Sequence, residues 1–207
     1  MTPRQLPSAL SRFGRDGRGV AMVEFAMLAP LLILFYVGMA EICQGLMAER
    51  RTAHATSAIG DLVAQAEEVS GSEVQSVFNI AEVILAPYPT EGRLKLRVSS
   101  VAVDSNGVAR VRWSDNKGWA DRAQGEIIDL PQVASADGGQ ASFLANGEST
   151  IMAEAEYSFV TPFSDLFVRI SELVGGGGTS ASAGGFDFES KYFLRPRRSE
   201  EVTYKNS

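Results

Sequence analysis

The sequence predicts an α+β protein in which one long N-terminal helix, crossing a membrane and continuing outward, is followed by an antiparallel sheet. Three observations carry that expectation. An apolar run interrupted only by Glu24 extends from Val20 to Ala40. Apolar residues then recur at helical spacing as far as Leu85. Beyond Pro87-Tyr88-Pro89 the apolar period changes from helical to two, the period of a half-buried strand.

The run from Val20 to Ala40 contains one charged residue, Glu24. As a helix it measures about 32 Å at about 1.5 Å per residue, enough for a hydrocarbon core of about 30 Å. Arg4, Arg12, Arg15 and Arg18 precede it against Asp16 alone. Positive residues stay on the cytoplasmic side, so the N-terminus is expected inside and the rest of the chain periplasmic, as a single-pass inner-membrane protein. Gly38-Met39-Ala40 offers a small-x-small secretory cleavage site as a rival. Secretory apolar regions run about 7–15 residues, however, and this one is longer and carries a carboxylate near its start.

Past the membrane, Ile59, Leu62, Val63, Ala66 and Val69 share one helical face, and Ser70-Gly71-Ser72 breaks the run. Ser72 is expected to cap a second helix with Gln75 at the capping-box position. That helix buries Val74, Val77, Phe78, Ala81, Ile84 and Leu85 and stops before Pro87. In the sheet region, a Ser105-Asn106-Gly107 loop pairs Val103 with Ala109 and Val101 with Val111, which keeps Ala109, Val111 and Trp113 on a consistent face. Leu94, Leu96 and Val98 are out of phase with Val101, so a bulge is expected near Ser99-Ser100. Residues 115–148 read as a long loop with a brief strand at Glu126 to Leu130. Ile151 to Phe159 and Phe186 to Leu194 alternate as strands. Between them Phe163, Leu166, Phe167, Ile170 and Val174 fit a short helix, followed by a flexible Gly175–Gly178 connection.

The chemistry-bearing residues are few. His54 is the only histidine and Cys43 the only cysteine, so neither an intramolecular disulfide nor a zinc set is expected. Glu154 and Glu156 share a strand face and are read as solvated. The whole chain carries a net charge of −6, and the part after the basic residues 1–19 carries −9, which disfavours nucleic acid as a partner. No catalytic residue, metal or cofactor is expected, and the protein is not read as an enzyme.

The distinctive local pattern is Gly19-Val20-Ala21-Met22-Val23-Glu24-Phe25, a basic segment ending in glycine with a carboxylate five positions on. It resembles the processing site of type IV prepilins. With Pro30 inside the run and Glu41 at its end, the stretch resembles the TadE-like pseudopilin family of tight-adherence (Tad/Flp) pilus systems. The match covers about residues 12–62, and Tyr157-Ser158-Phe159, Pro162-Phe163 and Arg195-Pro196-Arg197 extend it more weakly. Phe25, where Flp pilins carry Tyr, and the large body set the chain apart from a major pilin. The resemblance implies a leader (1–19) cut between Gly19 and Val20 by a prepilin peptidase, with Glu24 and Phe25 as the motif. It implies a membrane helix (20–42), a helical region (43–86), a sheet domain (87–207) and a role as minor pseudopilin or assembly factor. The partners it implies are the Flp pilin, other pseudopilins, the inner-membrane pilus platform and the lipid bilayer. The alternative is an unprocessed membrane-anchored periplasmic binding domain.

Overall fold

The computed structural model describes residues 18–134, 140–161 and 185–205. The leader before Arg18, the helix expected from Phe163 to Val174 and the Gly175–Gly178 connection lie outside them. The chain forms two compact units, Met1–Cys43 and Gln44–Ser207. Helix α1, Arg18–Ala64, contributes to both, and Pro30 stands inside it. It is followed by β1 (Glu68–Ser70), α2 (Gly71–Leu85), β2 (Leu94–Val103), β3 (Ala109–Lys117), β4 (Gln132–Ala134), β5 (Gln140–Ser142), β6 (Ser149–Val160), β7 (Gly185–Leu194) and β8 (Thr203–Lys205). The α+β plan is as expected, an apolar helix followed by an antiparallel sheet.

In the second unit, β3-β2-β6-β7 form one antiparallel sheet in that order. Leu96, Val98, Ile151, Ala153, Ala155 and Tyr157 face α2 and the part of α1 in this unit, and form one core with Ile59, Val63, Phe78 and Leu85. Val101, Val103, Val111 and Met152 face the other way and form a second core with Ile128 and Leu144. A central strand buried on both sides is the real source of the phase difference along β2. Opposite β6 its alternation is unbroken from Leu94 to Ala102. The bulge falls opposite Ser100/Val101 and lies on β3, where Arg112 is passed over between Val111 and Trp113. That extra residue turns Trp113 away from Ala109 and Val111 onto the helix side, which corrects the expectation of one shared face.

The hairpin register is the expected one, Val103 with Ala109 and Val101 with Val111. Gly107 supplies the positive φ of 78° that closes the turn. The brief strand at Glu126 to Leu130 reduces to a bridge between Arg110 and Ile127, and β4 and β5 pair within the stretch read as loop.

Helix α1 ends at Ala64, not at Val69. The Arg197 amide donates to the Ala64 carbonyl (2.9 Å), and Val69 joins β1, which runs parallel to β8. The buried face of α1 in this unit is Ala48, Thr52, Ala55, Thr56, Ile59, Gly60 and Val63, while Leu62 is 39% exposed. The Thr52 and Thr56 hydroxyls donate to the carbonyls of Ala48 and Thr52 one turn back, so polar residues sit in this face without an unmet donor. The cap of α2 is Ser70 with Glu73, not Ser72 with Gln75. Ser70 has the extended backbone of the end of β1, and its amide donates to Glu73 Oε2 at 2.8 Å. Gln75 reaches across instead to Asp115 and the Asn116 carbonyl.

Small residues let α1 approach the sheet. A Cβ on Gly60 would lie 2.5 Å from Leu194 Cδ1 and 3.0 Å from Ala153 Cβ. Gly60→Val is therefore expected to cost about 1–3 kcal/mol through overpacking. Chemical unfolding of the full chain in detergent checks this, and unchanged stability would show that the helix can move off the sheet freely.

Candidate processing site and membrane helix

Because α1 begins at Arg18, Gly19 lies in its first turn, and Val20 and Glu24 are four residues apart on one side of the helix. The peptide after Gly19 is open: a Cβ on that glycine would meet nothing within 4 Å. Val20 (57%), Glu24 and Phe25 (65%) are all exposed. The structure thus brings the four residues of the expected processing motif onto one accessible helical turn and a half. If the bond after Gly19 is hydrolysed, the new α-amine of Val20 is a cation at neutral pH and stands one turn from the Glu24 carboxylate. In an apolar medium that pairing offsets the cost of an ionised group in the helix.

Apart from Glu24, the stretch of this helix from Val20 to Ala40 is apolar on all sides. Met22, Met27, Leu31, Phe35 and Tyr36 are each more than 60% exposed and point in different directions. A helix of this kind belongs in lipid or among other helices. Among the described residues, one helix, Gly19–Ala64, is long and apolar enough to cross a membrane. Pro30 removes one backbone bond within it, a loss that membrane helices accommodate locally.

A second cluster lies on the sheet face away from the helices. Arg97, Glu154 and Lys191 stand in register on three adjacent strands. Glu154 accepts from Arg97 Nε at 2.9 Å and from Arg122 Nη2 at 2.8 Å, with Lys191 Nζ at 3.6 Å. Arg122 also pairs with Glu126, and the Arg97 guanidinium lies 4.4 Å from the centre of the Trp119 ring. The side chain of Glu154 is only 4% exposed, which corrects its reading as part of a solvated face, while Glu156 pairs with Lys95 at 2.7 Å and is partly open. Burial pushes the Glu154 carboxyl up, but hydrogen bonds from Arg122 and Arg97 and the charges of both outweigh it, so the net direction is down. A carboxylate held ionised by three cations is a clasp between loop and sheet and is not poised to take a proton. The sequence signal that marks it is Arg97 between Leu96 and Val98, a charge flanked by apolar residues inside a strand.

His54 and Cys43 are exposed. Among the described residues, no three or more His, Cys, Asp or Glu side chains gather where they could hold a metal. No curated protein and no solved structure matches the chain. The model of one family, described as TadE-like protein, matches residues 19–60. That span begins at the glycine of the expected cut and takes in Glu24, Pro30 and Glu41, so over its membrane-type helix the chain is matched to the TadE-like family that its N-terminal motif resembles.

Proposed function

We propose that this protein is a minor pseudopilin or assembly factor of a Tad-type Flp pilus. The match of residues 19–60 to the TadE-like family carries the reading. The accessible Gly19–Val20 bond and the exposed apolar helix behind it support it. In this reading a prepilin peptidase removes residues 1–19 on the cytoplasmic side, where Arg4, Arg12, Arg15 and Arg18 hold the leader. The helix stays in the inner membrane beside the Flp pilin, other pseudopilins and the pilus platform, and the sheet unit stands in the periplasm. The protein works by packing and catalyses no step of its own. Its sheet unit is too bulky to repeat along a thin fibre, which suits a tip, a base or an initiating complex used in few copies.

Intact-mass measurement of the native protein tests this directly. The expected product begins at Val20. A full-length N-terminus in cells with a working prepilin peptidase would falsify processing and favour the uncut, membrane-anchored binding domain.

A further inference from the structure

The two edges of the four-stranded sheet differ. Along β3, the Val111 amide donates to the Glu126 carbonyl, and the Gly125 and Ile128 amides donate to the carbonyls of Val111 and Ala109. Further on, the Asn116 carbonyl accepts from Gln75. Along the other edge, no strand lies beyond β7 among the described residues, and β7 pairs with β6 in one unbroken register.

One bond sets the direction of the backbone groups on that edge. The Ser158 amide donates to the Arg93 carbonyl at 2.9 Å, on the β2 side of β6. Successive residues of a strand turn their N–H and C=O groups to opposite sides. Tyr157, Ala155 and Ala153 therefore bond to their partners Phe188, Ser190 and Tyr192. Asp187, Glu189, Lys191 and Phe193 turn theirs away from β6, in an open ladder about 20 Å long at about 3.4 Å per residue. Edge strands are commonly guarded by brevity, a bulge or a proline, and β7 has none of these.

The side chains define what fits there. On the face away from the helices, Lys95, Glu156 and Glu189 form one row across three strands, and Arg97, Glu154 and Lys191 form the next. Lys95 pairs with Glu156 at 2.7 Å, and among the described residues no cation pairs with Glu189. The first row thus ends on an acid lacking a base, and the second ends on a base. On the helix side, Phe188 and Tyr192 are partly open.

We propose that the β7 edge binds an extended segment of another protein as a fifth, antiparallel strand, with an acidic residue opposite Lys191 and a basic residue opposite Glu189. Along the partner the order is apolar, acidic, apolar, basic, apolar. Backbone bonds hold the segment and the two charges fix its register. A second copy of β7 carries a matching order about Ser190. However, α1 runs in the direction of β7, from Gly45 beside Phe188 to Gly60 beside Leu194. A twofold would point the Gln44 ends of the two helices in opposite directions, which does not suit chains entering one bilayer from the same side. The proposal depends neither on cleavage nor on a pilus role.

A short fluorescein-labelled peptide of that pattern, with glutamate and lysine as its charges, is titrated into the full chain in detergent and followed by anisotropy. Saturable binding is expected. Glu189→Pro removes an outward amide and no bond to β6, and should weaken binding about tenfold or more. A peptide N-methylated at its bonding positions is expected not to bind, a control that leaves the protein unaltered. Glu189→Lys should shift preference to a peptide with glutamate at both charged positions. Residue-level hydrogen exchange should show the amides of 187, 189, 191 and 193 fast in the free chain and slowed by the peptide, with 188, 190 and 192 slow throughout. Absence of binding, or binding that N-methylation leaves unchanged, overturns the proposal. Slow exchange of the outward amides without peptide also overturns it. If that protection rises with protein concentration a second copy holds the edge, and if it is constant the chain covers its own edge.

Discussion

A Glu154→Ala chain is expected to lose about 3–5 kcal/mol of stability, the cost of stranding buried charge by removing its partner. Arg97 and Arg122 have side chains only 10% and 18% exposed, and both donate to this one carboxylate. Without it, Arg97 loses the carboxylate it pairs with and Arg122 keeps only Glu126, so the loop carrying Trp119 and Arg122 loses one of its attachments to the sheet. Urea unfolding of the full chain in detergent measures the loss, and a cost under about 1 kcal/mol would show that solvent reaches the cluster, as at a surface pair. The pH dependence follows in sign. The folded carboxyl titrates below its usual 4.5, so its contribution is complete above that value and is lost as pH falls through the lower, folded value. Glu154→Gln is expected to be less stable near neutral pH and to show a shallower loss on acidification than the parent. An unchanged acid slope would place the titrating group elsewhere.

Cells lacking the protein are expected to make and cleave their major Flp pilin yet display few or no surface pili. On the proposed reading the chain bears the peptidase's recognition pattern but supplies neither the cut nor the energy for assembly. Its loss should therefore stall the pathway after processing. Immunoblots of membrane fractions and electron microscopy of whole cells separate the steps. Complementation should fail with Gly19→Trp, whose bulk blocks the cut. Normal pili in the deletion strain would refute an assembly role and leave an anchored domain with another purpose.

What could be read from the sequence was what is encoded locally. The hairpin register was legible because Gly107 tolerates a positive φ and only one register keeps Val101 and Val103 opposite apolar partners. The apolar face of α2 was legible from spacing, with Val74, Phe78, Ala81 and Leu85 fully buried. The N-terminal motif was legible for the same reason, since Gly19, Val20, Glu24 and Phe25 lie within two helical turns. What escaped depends on distant partners. Val69 leaves the helix for a strand because Tyr204 pairs with it across the chain. Ser70 is the cap because its place at the end of that strand gives it the extended backbone a cap requires. The α1 face was hidden by its composition, in which threonines and a glycine occupy core positions because the sheet comes close. Glu154 looked solvated because its cover, Arg122 and Trp119, comes from a stretch with no period of its own.

The short parallel pair β1-β8 has a consequence for the order in which the fold is completed. Val202 is wholly buried in the helix-side core, its carbonyl accepts from the Trp113 indole at 2.7 Å, and Tyr204 packs against that ring. Arg197 closes the end of α1 with its amide and reaches Asp61 with its guanidinium. Residues made early thus wait on residues made 89 to 136 positions later, and the loop closure between them adds no stability until the distant segment arrives. While the chain is still emerging, Val63, Val69 and Trp113 lack their covering layer and remain available to chaperones or proteases. Closure therefore depends on β8, and a chain interrupted before Thr203 would lack both the partner of β1 and the ring that covers Trp113.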